Sequence, residues 1–196
     1  FCEWSLPMWK EHFPENMDGV SAEMLWRAIN QVEPSLIRVE ADEATYNLHI
    51  MIRYEVEKLL ISGELDVDDL PDAWDDMYER YLGIRSPDRK QGVLQDIHWS
   101  MGAFGYFPTY TLGNLYAAQL LVAARKDLES DGHTLEDDWR SGTFTPLLGW
   151  MREHVHARGS ILTPAGLIEE ATGEAPTPAP FVDYLRDKIG TIYGSV

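Results

Sequence analysis

The segment from Glu43 to Ser62 constrains the fold most, because its apolar side chains recur at the spacing of one face of an α-helix. Those apolar residues are Leu48, Ile52, Val56, Leu59 and Leu60. Gly63 follows, and glycine readily adopts the left-handed conformation that ends many helices. No segment of the chain alternates apolar and polar residues convincingly, as a half-buried strand would. The sequence therefore predicts a mainly α-helical fold with little or no sheet.

Capping residues mark the limits of the other predicted helices. Ser21 is a suitable N-cap, and Pro34 would end the helix that follows it. Asn114 would cap a run rich in Ala and Leu, and Thr163 with Pro164 forms a cap and first-position pair. After one short helix near the N terminus, the predicted helices are one between Ser21 and Pro34, one over about 43–62, one that Asp68 and Asp69 begin and Gly83 closes, one over 115–128, one over 147–157, one that starts at Pro164 and includes Ala171, and one over 181–193. We expect them to form a single domain over residues 1–196.

The long helix also carries a polar row. His49, Arg53 and Glu57 are spaced four residues apart, so their side chains share one face. Rows of charged residues on helices usually face solvent, where ion pairs contribute little to stability. We therefore interpret Arg53 and Glu57 as a solvated ion-pair row.

Charge and cysteine content exclude several classes of partner. The net charge of −17 disfavours binding to nucleic acids or anionic membranes, because both require a basic surface. Cys2 is the single cysteine, so the chain forms no internal disulfide or cysteine-based zinc cage, and a reducing, cytoplasmic setting fits. The best apolar run, Leu115 to Ala124, is too short to span a bilayer. We also expect that residues preceding Phe1 have been left out of this sequence.

Residues 92–114 are the best candidate for a functional segment. The segment combines Asp96, His98, Trp99, Tyr106 and Tyr110 with four glycines and one proline. Glycine and proline are poor in helix interiors, and proline lacks the N–H donor that a central strand needs. We therefore predict a loop between helices, suited to hold a binding or catalytic site on a scaffold. The alternative is a buried connector whose aromatic side chains only fill space.

No complete catalytic motif occurs in the chain. A helical zinc site of the H-E-x-x-H type needs two histidines four residues apart, and none of the six histidines has that spacing. His154 and His156 lie two residues apart, which on a helix directs them to nearly opposite sides. No G-x-S-x-G or phosphate-binding loop is present. Ser100 beside His98 is a poor basis for a serine triad.

Three ordered motifs nevertheless resemble those of one family. They are Ile37-Arg38-x-x-Ala41-Asp42, Gly92-x-x-Gln95-Asp96-x-His98-Trp99 and Gly105-Tyr106-Phe107-Pro108. With these motifs and their flanks, the chain resembles the thermostable zinc carboxypeptidase family over essentially all of its 196 residues. The resemblance implies a helical, homodimeric metallocarboxypeptidase that removes C-terminal residues from peptides with broad specificity.

The resemblance also implies that part of the enzyme is missing. In the family, zinc is held by the two histidines of H-E-x-x-H and by a glutamate in a His-Glu-Ser segment, and neither motif occurs here. Glu3 and Glu11 lack that context. We therefore expect a C-terminal, substrate-side portion of a larger zinc enzyme. We expect it to be inactive alone and to bind no metal tightly.

The expected substrate is the C-terminus of a peptide, and its carboxylate needs a cationic receptor. An arginine fork suits a carboxylate, so Arg38 is the candidate, with Asp42 either holding its side chain or capping the following helix. By resemblance, His98 and Tyr106 would stabilise the developing oxyanion, with Tyr110 in reserve. Gln95 and Asp96 would orient the loop, while Trp99 packs behind it.

Two alternatives remain open at this point. The chain could be a helical interaction or dimerisation module without catalysis, or a degenerate homologue that has lost its catalytic half. The codons immediately upstream of Phe1 would distinguish the carboxypeptidase fragment from these two alternatives. An H-E-x-x-H motif there would support the carboxypeptidase, whereas a start codon would favour the alternatives.

Overall fold

The computed structural model describes residues 1–194, and every regular element in that range is helical. The prediction of a mainly α-helical fold is therefore confirmed. The α-helices are α1 (Cys2–His12), α2 (Ala22–Ile29), α3 (Tyr46–Ser62), α4 (Leu70–Leu82), α5 (Pro108–Ser130), α6 (Leu135–Ser141), α7 (Thr145–His154), α8 (Pro164–Thr172) and α9 (Ala179–Tyr193). Within residues 1–194 no helix is both long and apolar enough to cross a membrane.

Ser21, Gly63 and Thr163 lie where helices begin or end, as predicted. The Ser21 hydroxyl accepts a hydrogen bond from the Met24 amide at 3.1 Å, and the Thr163 hydroxyl accepts one from the Gly166 amide at 3.2 Å. These contacts satisfy backbone donors that the first turn of a helix leaves unpaired. Gly63 ends α3 with φ 76°, in the left-handed region that glycine enters without steric cost.

Several predicted boundaries were wrong, and one short helix was missed. Helix α5 begins at Pro108, so the last part of the predicted loop 92–114 is helical, and Asn114 lies inside the helix instead of capping it. Proline is favoured in the first turn, where its missing N–H has no helical partner, and the long Ala- and Leu-rich run outweighs the weak propensities of Gly113 and Asn114. Helix α2 ends at Ile29, before the predicted residue 33, and α6 is too short to show a sequence period.

The chain divides into two compact units, which we call the terminal unit and the central unit. The terminal unit comprises Phe1–Ile29 and the residues from Asn114 onward, and the central unit comprises Asn30–Gly113. The division falls within α5. The expectation of a single domain over 1–196 stays a prediction.

The terminal unit has an apolar core contributed by α5, α6, α7 and α8. Its buried members are Leu120, Ala124, Leu128, Leu135, Trp150 and Ile168. Gln119 is a buried polar residue that ties down the connector after α8. Its amide nitrogen donates to the Thr172 hydroxyl and to the carbonyls of Glu174 and Ala175, and its amide oxygen accepts from the Thr177 amide.

In the central unit, α3 packs against α4. The shared core consists of Ile52 and Val56 from α3 with Trp74, Tyr78 and Leu82 from α4. Trp74 and Tyr78 stack with ring centroids 5.1 Å apart. This packing fixes the orientation of α3, whose polar row contacts Gln95 and Asp96 among the predicted site residues.

Candidate functional site

The polar row of α3 is buried, so its interpretation as a solvated ion-pair row was wrong. Arg53 and His49 have no exposed surface, and Glu57 is 7% exposed. Burial is tolerated because residues outside α3 supply hydrogen-bond partners for each of these side chains. His49 and Arg53 belong to one network with Gln95 and Asp96, whereas Glu57 binds Trp99 and Gly105.

Every nitrogen of the Arg53 guanidinium donates a hydrogen bond to a neighbouring residue. Its Nε donates to Asp96 Oδ2 at 2.7 Å, and its Nη1 donates to the His49 carbonyl and the Tyr78 hydroxyl at 2.8 and 3.2 Å. Its Nη2 donates to Gln95 Oε1 at 2.9 Å and lies 2.6 Å from Asp96 Oδ2. The three nitrogens of the guanidinium thus donate four hydrogen bonds, and Nη2 makes one further ion-pair contact.

Arg38 contacts the same carboxylate, but two of its N–H groups have no partner within residues 1–194. Its Nε and Nη2 donate to Asp96 Oδ1 at 3.1 and 2.7 Å, and its Nη1 donates to the Tyr46 hydroxyl at 3.0 Å. One N–H on Nη1 and one on Nη2 therefore have no acceptor among the described residues. The rings of Tyr46, Phe107 and Tyr110 surround the guanidinium, with centroids 5.9, 5.8 and 5.1 Å from its central carbon.

Two guanidinium groups around one carboxylate leave the cluster with a net positive charge. Burial on its own would raise the pKa of the Asp96 carboxyl, but the hydrogen bonds and charges of Arg38 and Arg53 lower it below its ordinary value. Burial likewise opposes the charge of Arg38, but the hydrogen bond and charge of Asp96 raise its pKa overall. All three groups are charged at neutral pH, so their formal charges sum to plus one.

His49 contributes a neutral group to this network. Its Nδ1 lies 3.0 Å from the Tyr78 hydroxyl. Burial, followed by the charges of Arg53 and Arg38, lowers the pKa of His49 to about 4. The imidazole therefore adds no further positive charge beside the two arginines at pH 7.

The aromatic members of the predicted site lie together. His98 Nε2 is 3.0 Å from the Tyr110 hydroxyl, and its Nδ1 is 3.8 Å from Asp96 Oδ1. Tyr106 packs edge-on against Tyr110 with centroids 5.4 Å apart. The hydroxyl of Tyr106 makes no hydrogen bond within the described residues, and 48% of the residue is exposed. The structure thus groups Arg38, Gln95, Asp96, His98, Tyr106 and Tyr110.

Asp42 stands apart from this group by its bonding. Its carboxylate accepts hydrogen bonds from the amides of Ala44 and Thr45 at 2.8 and 3.0 Å, and from the Glu33 amide at 3.1 Å. No hydrogen bond or ion pair joins Asp42 to Arg38. Of the two alternatives for Asp42, these bonds correspond to the capping one, and they coincide with the start of α3 at Tyr46, three residues later than predicted.

Sequence reasoning missed Glu57 as a site-supporting residue. One oxygen of its carboxylate accepts a hydrogen bond from the Trp99 indole at 3.1 Å, and the other accepts one from the Gly105 amide. Glu57 thereby holds the segment that leads into Tyr106. A signal was available, because Glu57 and Arg53 directly adjoin the apolar Val56 and Ile52 on the same side of α3.

The described residues do not fit a catalytic metal. No group of three or more His, Cys, Asp or Glu side chains in residues 1–194 is arranged to hold a metal ion. The polar cluster is instead dominated by arginine, which is not a zinc ligand. No step of the mechanism proposed below passes through zinc.

Comparison with known proteins places the chain among the metallopeptidases. It belongs to the carboxypeptidase Taq (M32) metallopeptidase family, whose family model matches residues 1–189. The family resemblance predicted from the three motifs is confirmed.

Individual relatives agree with this assignment. Thermostable carboxypeptidase 1 from Thermus thermophilus is 50% identical over 97% of this chain and 38% of its own length. Carboxypeptidase 1 from Bacillus subtilis is 45% identical over 94% of this chain and 36% of its own length. The crystal structure of an M32 carboxypeptidase from Deinococcus radiodurans R1 matches 98% of this chain and 38% of that protein, with 45% identity and a TM-score of 0.91. The chain therefore spans well under half the length of these relatives.

Proposed function

We propose that the chain is the substrate-binding part of a zinc-dependent metallocarboxypeptidase, and that Arg38 receives the C-terminal carboxylate of the peptide. The observation that carries this proposal is the pair of unused N–H groups on Arg38. They lie on the two terminal nitrogens of a guanidinium, which can donate together to the two oxygens of one carboxylate. Membership in a carboxypeptidase family makes a peptide C-terminus the natural ligand.

The surroundings of Arg38 favour a small anion. A carboxylate would neutralise the net positive charge of the cluster formed by Arg38, Arg53 and Asp96. Only 6% of Arg38 is exposed, so a terminal carboxylate fits the available access better than a bulky side chain does. Charge-assisted hydrogen bonds contribute roughly 1.5–3 kcal/mol each. Shielding from water also keeps salt from screening the attraction.

The proposal assigns the scissile carbonyl to the neighbouring aromatic residues. In the proposal, Tyr106 donates a hydrogen bond from its unpaired hydroxyl to the developing oxyanion. His98 stabilises the same oxyanion, and Tyr110 is the reserve donor. The hydrogen bond between His98 and Tyr110 fixes the imidazole. Gln95 and Asp96 orient the arginines and Asp42 caps the approach to α3, so these residues support the receptor without touching the reacting bond.

The remaining chemistry belongs to a part of the enzyme outside this chain. The family resemblance implies that zinc and the glutamate of H-E-x-x-H are supplied there, in a homodimeric, cytoplasmic enzyme. The purified chain alone is expected to bind no stoichiometric zinc and to release no C-terminal amino acid from a short peptide. Put in place of the matching segment of the Thermus relative, it is expected to support release. Release by the chain alone would overturn the assignment of the catalytic metal to another part.

The receptor itself is tested with two matched ligands, N-acetyl-phenylalanine and its C-terminal amide. Binding is followed through the side-chain Nε–H resonance of Arg38 in the purified chain. We expect the acid to shift this resonance saturably and the amide to leave it nearly unchanged. The matched control is Arg85→Met, an exposed arginine of the central unit, which should preserve the acid preference. Equal responses to acid and amide would contradict the proposed receptor.

A further inference from the structure

We propose that Arg53 is a positioning residue that keeps Arg38 electrically available to the substrate carboxylate. This inference rests on the proposed function, in which Arg38 is the receptor. Arg53 cannot be the receptor itself, because it has no exposed surface and each nitrogen of its guanidinium already donates a hydrogen bond. Its influence passes through Asp96 and Gln95.

Arg53 gives the cluster around Asp96 its excess positive charge. An Arg38–Asp96 pair on its own would be neutral, and a neutral pair attracts a second carboxylate weakly. Arg53 contacts the same carboxylate through Oδ2, while the shortest contact of Arg38 is with Oδ1. Two positive guanidinium groups thus share the single negative charge of Asp96. The excess positive charge remains beside the open N–H groups of Arg38.

Arg53 also holds Arg38 in one orientation, through Gln95 and Asp96. Gln95 Oε1 accepts from Arg53 Nη2 and also from the backbone amide of Arg38, both at 2.9 Å. Asp96 accepts from both side chains. Arg53 is therefore connected to the backbone and to the side chain of Arg38 by two separate bridges. These bridges confine Arg38 to the orientation in which its Nε edge faces Asp96 and its remaining donors stay free.

The test compares the affinities of N-acetyl-phenylalanine and its amide, measured by isothermal titration calorimetry, in a series of variants of the chain. The readout is the ratio of the two affinities, because a loss of folded protein lowers both affinities equally and leaves the ratio unchanged. Arg38→Met should abolish the preference for the acid. Arg53→Met, which leaves Asp96 to neutralise Arg38, should reduce the preference about tenfold. Arg53→Lys keeps the positive charge and should retain most of the preference for the acid.

A double variant separates charge balance from simple structural support. Arg53→Met with Asp96→Asn removes one positive and one negative group, so Arg38 regains an unbalanced charge and much of the preference for the acid should return. The double variant also removes the carboxylate that loses one of its two arginines in Arg53→Met, so it provides a second measurement if Arg53→Met alone fails to fold.

Each possible result bears on a different claim. If Arg38→Met leaves the ratio unchanged, the proposed receptor is wrong and the role of Arg53 falls with it. If Arg38→Met abolishes the preference but Arg53→Met does not reduce it, only the role of Arg53 is overturned. A double variant with no more preference for the acid than Arg53→Met would show that Arg53 acts by packing alone.

Discussion

The terminal and central units are stabilised by different kinds of interior. The core of the terminal unit consists of aliphatic side chains and Trp150. In the described residues, the charged side chains that are fully buried, Arg38, Arg53 and Glu57, all belong to the central unit. An apolar core requires only volume and shape, whereas buried charges require matched partners in fixed positions. The comparison indicates that the interior of the central unit depends on specific contacts between charged groups, whereas that of the terminal unit depends on apolar packing.

The largest effect should come from breaking the charge network of the central unit. Arg53→Met leaves Asp96 with one arginine and removes the donors that serve Gln95, His49 and Tyr78. Removing one partner of a buried ion pair typically costs about 3–5 kcal/mol. Urea unfolding of the chain should show a loss of this size. The exposed Arg85→Met is the control and should change stability by less than about 1 kcal/mol.

A comparable but simpler loss is expected in the terminal unit. Leu135 is 1% exposed, and Leu135→Ala removes three carbons from a close-packed core, which should cost about 3 kcal/mol. Because no charge is involved, the loss should not change between 50 and 500 mM salt in the urea titration. Leu148→Ala, at an exposed position of α7, should be nearly neutral. A strongly salt-dependent effect of Leu135→Ala would erase the distinction between the two interiors.

What could be predicted from the sequence depended on how far apart the interacting residues lie along the chain. The ends of α3 and α8 depend on Gly63 and Thr163, which act on backbone groups within a few residues, so local pattern was sufficient. The partners of Arg53 lie more than 40 positions away at Gln95 and Asp96, and no local pattern links them. The motif resemblance identified Asp96 but carried no information about its contact with α3. Burial of the polar row therefore became visible only in three dimensions.

The pH dependence of stability should distinguish the units through His49. Burial and the nearby arginines lower its folded-state pKa to about 4 from an unfolded value of 6.5, so the unfolded chain binds more protons between these pH values. The stabilising contribution is complete above pH 6.5 and decreases as the pH falls towards 4, by up to about 3 kcal/mol. Unfolding free energies measured at pH 7 and 4.5 should show this loss, and His49→Gln should reduce it. His12→Gln, on the exposed side of α1, should leave it unchanged. An equal pH dependence in wild type and His49→Gln would remove His49 as its cause.

The smallest expected effect concerns the segment that Glu57 holds. Glu57→Gln keeps one acceptor but places an amide N–H₂ against either the Trp99 indole or the Gly105 amide, so one of these donors loses its partner. We expect a loss of about 1 kcal/mol and roughly tenfold faster hydrogen exchange at the Gly105 amide, which lies directly before Tyr106. Glu55→Gln is the matched control on the same helix, because its partner is the Tyr81 hydroxyl of α4. If both variants change exchange at Gly105 equally, Glu57 does not hold this segment specifically. If only Glu57→Gln does, a single buried carboxylate of α3 orders the approach to the site, as no aliphatic side chain at that position could.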